Sequence, residues 1–177
     1  RSLRVSCISG GQLMILEGGR WLVFLSFFLA MIISVMRLPD FLPDWLVYLD
    51  PDWVIMVLFY WVIQAPERVG LIVAWLIGFP IDVMLGDPIG LNGACFVGVT
   101  FFGWTLYERI RMYSSMQQGA VLFGLLFVVG LVKSTVIHFI QGLEWSLIFL
   151  VTATVTVLLW FPVSRILQIL TTRYVGE

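Results

Sequence analysis

The sequence predicts an all-α membrane protein with six transmembrane helices, and three observations support this fold class. First, 60% of the 177 residues are hydrophobic and only 12% are charged, with a mean hydropathy of +1.02. So few charges do not cover the surface of a soluble domain of this size. Second, the apolar residues fall into six runs that approach the length of a membrane-spanning helix. Third, these runs lack the polar–apolar alternation of membrane-barrel strands.

The six runs are bounded by residues that end helices or lie at membrane interfaces. Pro39 follows the first run, Pro66 stops the second, and Pro88 falls at or near the first turn of the fourth. Pro162 is expected to kink the sixth run near its inner end. The predicted segments are residues 21–36, 53–65, 69–85, 89–107, 120–140 and 145–170.

The second run is shorter than the roughly 20 residues that a helix needs to cross a bilayer. Two interpretations remain open: the helix starts further back, toward Trp45, or it is shielded from lipid inside the bundle. Residues 1–19 contain two Gly-Gly pairs and no signal-peptide core, so we expect a cytoplasmic N-terminal tail or an upstream extension. Residues 20–173 then form the six-helix transmembrane domain, and residues 174–177 form a cytoplasmic C-terminal tail.

The basic residues predict the orientation of the bundle. If the amino end lies in the cytoplasm, eight of the ten lysines and arginines fall on the cytoplasmic side. Only Arg37 falls outside, and Lys133 lies within the fifth segment. The positive-inside rule therefore predicts a multi-pass protein with both termini in the cytoplasm. A formal net charge of −1 provides no basic field that would attract nucleic acid.

Small residues recur at every fourth position through the third segment and the turn that follows it. This spacing places them on one helix face. In a membrane such a face lets two helices approach closely, because apolar burial alone does not hold helices together in lipid. We therefore predict close helix packing at Gly70, Ala74, Gly78, Gly86 and Gly90.

Asp82 shares this face, so its carboxylate is expected to point into the bundle rather than at lipid. Asp82 and Lys133 each lie 13 residues after the start of their segments, the third and the fifth, which run in the same direction. Their similar depth predicts that they face a common interior, paired directly or through water. The pair is a structural ion pair, part of a polar pocket, or a proton relay. Asn92 and His138 are the other polar candidates for such a pocket.

The sequence shows no arrangement typical of catalysis or of metal and cofactor binding. The single histidine excludes a multi-histidine metal site within this chain, and Cys7 and Cys95 form no CxxC or metal-ligand spacing. No Ser/His/Asp spacing or phosphate-binding glycine loop is present. An intramembrane aspartyl protease needs two aspartates, and only Asp82 lies within a segment. We therefore expect a protein without enzymatic activity, cofactor or metal.

Several motifs resemble those of the MreD family of bacterial rod shape-determining membrane proteins. The stretch DPDWVIMVLFYWVIQAPERVG (residues 50–70) resembles the family's Pro-(Asp/Asn)-Trp, Tyr-Trp and Pro-x-Arg elements. The stretch GFPIDVMLGDPIG (residues 78–90) resembles its Gly-x3-Asp-x3-Gly-x3-Gly element. The stretch GRWLVFLSFFLAMII (residues 19–33) is similar to its first helix.

The carboxyl end extends the resemblance, since Trp160, Pro162 and Arg165 are similar to the family's Trp-Pro and basic finish. The motifs keep the family's order over residues 19–173. Lys133 departs from the pattern, because a neutral or acidic residue is more usual there. The resemblance implies a helical arrangement similar to the substrate-binding S-components of energy-coupling-factor vitamin transporters.

The resemblance also implies a function and a set of partners. MreD-like proteins lie in the bacterial cytoplasmic membrane and act in the elongation complex, or elongasome, which synthesises the lateral peptidoglycan wall of rod-shaped cells. They bind MreC directly and connect through it to MreB, RodA and a class B penicillin-binding transpeptidase. A vitamin-binding S-component-like transport subunit remains the alternative.

Aromatic residues before and at the start of the second segment are candidates for contact with the MreC transmembrane helix. They are Trp45, Tyr48 and Trp53. Anchoring of these rings at the membrane interface is an equally good interpretation. Membrane lipid is the other expected partner of the bundle.

Overall fold

The fold is that of a computed structural model, which describes residues 9–35, 51–142 and 147–175. These residues form helices joined by turns, and no strand occurs among them. The helices are α1 (Ser9–Val35), α2 (Trp53–Gln64), α3 (Leu71–Leu85), α4 (Leu91–Met112), α5 (Ser115–Gln141) and α6 (Ile148–Val175). The prediction of an all-α protein is therefore confirmed over this part of the chain.

Helix α2 lies at the centre of the bundle. Every residue from Val54 to Ile63 is buried, and ten consecutive buried positions cover all sides of a helix. The 12 residues of α2 rise by about 18 Å, which is less than the roughly 30 Å of a bilayer core. Of the two interpretations of this short segment, the structure supports shielding inside the bundle, with the helix beginning at Trp53.

The other helices are packed unevenly around α2. Helices α3 and α4 form the most extensive contact, and α4 also packs along α2. Helix α5 packs mainly on α6, whereas α1 covers α2 and touches α6. Contact between the consecutive helices α4 and α5 is sparse, and this leaves a cleft between them.

Two hydrogen bonds fix the buried helix α2 to its neighbours. The Trp61 Nε1–H group donates to Ser26 Oγ of α1 at 2.8 Å. The backbone N–H of Asp52, just before α2, donates to Thr156 Oγ1 of α6 at 3.0 Å. These bonds link α2 to α1 and α6.

The outer surface of the bundle is rich in large apolar side chains. Trp21 of α1 is 76% exposed, Ile72 of α3 is 75% exposed and Phe139 of α5 is 81% exposed. Soluble monomers rarely expose apolar surface on this scale. By length and composition, α5 and residues Ile148–Ile169 of α6 are able to cross a membrane. The outer surface of the described helices is therefore suited to contact with lipid.

Helix boundaries differ from the predicted ones where local capping decides them. Helix α1 begins at Ser9, so it extends into residues 1–19, where the sequence predicts an amino-terminal tail or extension. Helix α5 begins at Ser115, before the predicted start, because Ser114 forms a capping box with the third residue of the helix. Helix α4 begins at Leu91, and the Pro88 carbonyl accepts its N–H at 3.0 Å. Pro88 thus lies near the first turn, as predicted, and just before the helix begins.

Candidate functional site

Asp82 is the centre of a buried polar cluster at the turn between α3 and α4, and its side chain is fully buried. Its Oδ2 accepts the backbone N–H of Gly90 at 2.7 Å. Its Oδ1 accepts the backbone N–H of Asn92 at 2.9 Å and the Nδ2–H of the same residue at 2.8 Å. Asn92 Nδ2 also donates to Oδ2 of Asp87 at 2.9 Å. One carboxylate therefore joins the last turn of α3 to the first turn of α4.

The backbone of the turn explains why the cluster forms here. Helix α3 ends at Gly86 with φ +72°, and Gly90 precedes α4 with φ +92°. Both values lie in the left-handed region that favours glycine. The tight turn brings the first N–H groups of α4 against Asp82, and a helix N-terminus carries partial positive charge. Three hydrogen bonds and this dipole stabilise the buried carboxylate without a cation.

The structure does not bring Lys133 into an ion pair with Asp82. Within the described part of the chain, the donors to the Asp82 carboxylate all belong to Gly90 and Asn92. Lys133 is half-buried on α5. The direct pair inferred from depth is therefore absent from the described residues, because backbone donors and the Asn92 amide satisfy the carboxylate.

The remaining pocket candidates differ in burial. Asn92 is buried in the cluster, whereas His138 is exposed near the end of α5. The described bundle has cavities between α4 and α5, between α1 and α6, and at its arginine-bearing end. None of these cavities is lined by Asp82, Asn92, Lys133 or His138. The convergent polar groups that a vitamin-sized ligand needs are therefore not gathered around one of these cavities.

The small-residue face contains positions of two kinds. A Cβ atom on Gly78 would overlap the backbone of α4, so this glycine allows α3 and α4 to meet, and Ala74 is fully buried one turn earlier. A Cβ atom on Gly70, Gly86 or Gly90 would meet no atom within 4 Å. Packing is therefore not the role of these three glycines: the first is the N-cap of α3, and the other two supply positive φ.

Two contributors to the hairpin were missed in the sequence. Asp87 supplies the second carboxylate of the cluster, and the backbone of Gly93 lies against Gly78. The four-residue spacing of small residues passes through Ala94 and not through Gly93, the residue before it that contacts Gly78. The sequence carries no signal that distinguishes Gly93 from the other helical glycines, because the contact depends on how α3 and α4 pack.

Of the three aromatic candidates for partner binding, Trp45 and Tyr48 lie outside the described residues. Trp53 is half-buried at the start of α2. It lines an apolar groove of about 330 Å³ between α1 and α6. The second apolar cavity, the cleft between α4 and α5, has a volume of about 610 Å³.

These features define a class of protein: a helical membrane protein in which a buried carboxylate braces a helix hairpin. Within the ranges that the structure describes, no three His, Cys, Asp or Glu side chains are grouped as metal ligands. A family model described as rod shape-determining protein MreD matches residues 17–170. The chain belongs to the MreD family, as its motifs predicted.

One curated relative is similar to most of this chain. It is the rod shape-determining protein MreD of Haemophilus influenzae, which is 27% identical over 146 residues. The matched region covers 74% of this chain and 88% of the relative. No solved structure matches the chain. The similarity to S-component folds therefore stays a prediction.

Proposed function

We propose that this protein is a non-enzymatic, multi-pass component of the bacterial cytoplasmic membrane that acts in the elongasome. In this role it maintains rod cell shape and lateral peptidoglycan synthesis by binding MreC. MreB, RodA and a class B penicillin-binding transpeptidase are reached through the same complex. Membership of a family named for rod-shape determination is the observation that carries the proposal.

The proposed topology has six membrane crossings with both termini in the cytoplasm. The distribution of arginines supports it. Arg111 and Arg165 line one cavity at the end of the bundle where α4 gives way to α5. Arg68 lines a neighbouring cavity together with Arg111. Among the described residues, these arginines lie together at one end of the bundle, as the positive-inside rule requires of a cytoplasmic side.

We place the MreC transmembrane helix in the groove between α1 and α6. Trp53 lies in this groove, and the flanking side chains Leu25 and Leu29 are 63% and 56% exposed. Membrane helices associate through van der Waals packing rather than through apolar burial. An open groove with protruding leucines offers an inserted helix more contact than the lipid-facing side of a single helix does.

Co-purification of the full chain with tagged MreC from detergent-solubilised membranes tests both the function and the surface. The double variant Leu25→Ala/Leu29→Ala is expected to weaken the complex about tenfold, equivalent to about 1.4 kcal/mol over two truncated side chains. Phe28→Ala is the matched control, because Phe28 lies on the same helix, is 63% exposed and does not line the groove.

The two parts of the proposal fail separately. Reproducible absence of MreC from wild-type preparations contradicts the proposed function. If the leucine variant retains the complex and Phe28→Ala loses it, the proposed function still holds. The interface with MreC would then lie on another face of α1.

A further inference from the structure

A polar cavity of about 230 Å³ lies at the arginine-bearing end of the bundle, and we call it the arginine pocket. It is bordered by the ends of α2 and α4, the first turn of α5 and the late part of α6. Unlike the groove at α1 and the cleft at α5, its wall is largely polar. Its side chains include Arg111, Ser115, Gln118, Ser164 and Arg165.

The charges of the arginine pocket favour an anion. Arg111 and Arg165 come from different helices, and no Asp or Glu of the described chain lines the cavity. Glu67 borders the neighbouring cavity that Arg111 also reaches, but Arg68 is beside it there. The excess of positive charge in the arginine pocket is therefore not cancelled by its own wall.

Neutral groups in the same wall are also donors. Ser115 is the first residue of α5, so the positive end of that helix dipole borders the pocket. Trp160 lines the cavity, and its buried Nε1–H has no hydrogen-bond partner among the described residues. Gln118 Nε2 donates to the carbonyl of Ile110 at 3.1 Å, which holds the rim in place.

We propose that the arginine pocket binds a phosphate group. Guanidinium groups bind phosphate through paired charge-assisted hydrogen bonds, and a helix N-terminus adds backbone donors. The volume equals that of several water molecules at about 30 Å³ each, enough for a phosphate group with a short attached chain. The source is an anionic lipid headgroup or a soluble phosphate compound, and this chemistry is the same for both.

Two probes distinguish the sources on the purified full chain in a zwitterionic detergent. Inorganic phosphate represents the soluble source, and dioctanoyl phosphatidic acid represents the lipid source, with dioctanoyl phosphatidylcholine as the uncharged comparison. Binding is measured by isothermal titration and by lipid retention in native mass spectrometry. Binding of phosphatidic acid alone assigns the site to lipid, and binding of both probes assigns it to the phosphate group itself.

Arginine variants test the location. Arg111→Gln and Arg165→Gln are each expected to weaken binding roughly tenfold, the loss of one charge-assisted contact. Arg109→Gln is the matched control, because Arg109 lies two residues away on α4 and lines the cleft between α4 and α5 instead. If a glutamine variant does not fold, Arg165→Lys retains the charge without the planar fork and should weaken binding several-fold.

Three results would overturn the proposal. One is that neither probe binds the wild-type chain. Another is that phosphatidic acid binds equally well to all three glutamine variants. The third is that Arg109→Gln weakens binding as much as the two pocket variants do, which would mean that general surface charge attracts the lipid.

Discussion

At the scale of single residues, Asp82 shows how a carboxylate is kept inside an apolar molecule without a basic partner. Its two oxygens receive three hydrogen bonds, all from the start of α4. Backbone N–H groups at a helix N-terminus have no intrahelical acceptor, so they are available as donors to a buried acid. Asp82 and the α4 N-terminus therefore satisfy each other, and the hairpin depends on both.

We predict that Asp82→Asn destabilises the protein by about 2 kcal/mol, because an amide leaves one buried N–H of Gly90 or Asn92 without an acceptor. Reversible unfolding in mixed micelles measures this change. Lys133→Met should cost less than about 1 kcal/mol, and the double variant should show no coupling between the two sites. A coupling free energy between the two sites as large as the cost of Asp82→Asn would indicate an Asp82–Lys133 ion pair and contradict this account.

Residue type predicted the burial of Asp82 but not its partner. The small-residue face and the cost of a charge facing lipid are local properties, so the sequence carries them. The choice between Lys133 and the α4 N-terminus depends on the path of the turn through Gly86 and Gly90, which is a tertiary property. Depth along a helix places two groups at one level and says nothing about which face each one occupies.

At the scale of helices, α3 and α4 approach closely where Gly78 of α3 lies against the backbone of α4. Pro80 follows two residues later inside α3 without ending the helix. Tight packing supplies the van der Waals contact that holds membrane helices together, and it tolerates a proline that would break an isolated helix. The hairpin thus joins a packing contact to the polar brace one turn away.

We predict that Gly78→Ala separates α3 from α4 and costs about 1–3 kcal/mol, since the added methyl group overlaps backbone rather than a movable side chain. The midpoint of thermal unfolding in detergent reports this loss. Gly98→Ala on α4 is the control, because a Cβ there meets no atom within 4 Å. Equal shifts for the two variants would show that helix propensity, and not the close approach, controls stability.

A second helix-scale prediction concerns the attachment of α2 to α6. Thr156→Val leaves the partly buried N–H of Asp52 without its acceptor and should cost about 1–2 kcal/mol. Thr154→Val is a close match on the same helix, because Thr154 is exposed and its hydroxyl bonds only to the Leu150 carbonyl. Hydrogen exchange of the first turn of α2 should accelerate only in Thr156→Val. Equal acceleration in both variants would contradict the attachment.

Helix positions were predictable from apolar runs, whereas helix ends were not. The core of α2 follows from its continuous apolar sequence, because a helix buried on all sides needs no polar face. The start of α5 depends on the capping box of Ser114, and the start of α4 depends on a glycine with positive φ. Such ends are set by a few side-chain and backbone bonds, which hydropathy does not register.

At the scale of the whole molecule, two groups of charged and polar side chains lie at opposite ends of the described bundle, and largely apolar helices run between them. One end holds the Asp82 cluster, and the other holds Arg68, Arg111 and Arg165. Helix α2 is too short to reach from one end of a bilayer core to the other, and α4 and α1, which pack most extensively along it, shield it from lipid. The molecule is therefore a shell of longer helices around a buried short one.

This arrangement predicts the side of the membrane that each turn faces. The test uses a background in which Cys7 and Cys95 are replaced by serine. One labelling position is Glu67→Cys, in the turn beside Arg68. The other is Ile89→Cys, in the turn at the opposite end, where the native side chain is 72% exposed. A membrane-impermeant maleimide applied to intact cells, with any outer membrane permeabilised, should label Ile89→Cys and spare Glu67→Cys until the cells are lysed. The reason is that the arginine-bearing end resists transfer across the membrane. Labelling of Glu67→Cys alone in intact cells would show that the orientation is the reverse of the proposed one. Labelling of both cysteines would contradict the proposed topology. In either case the arginine pocket would not be assigned to the cytoplasmic face.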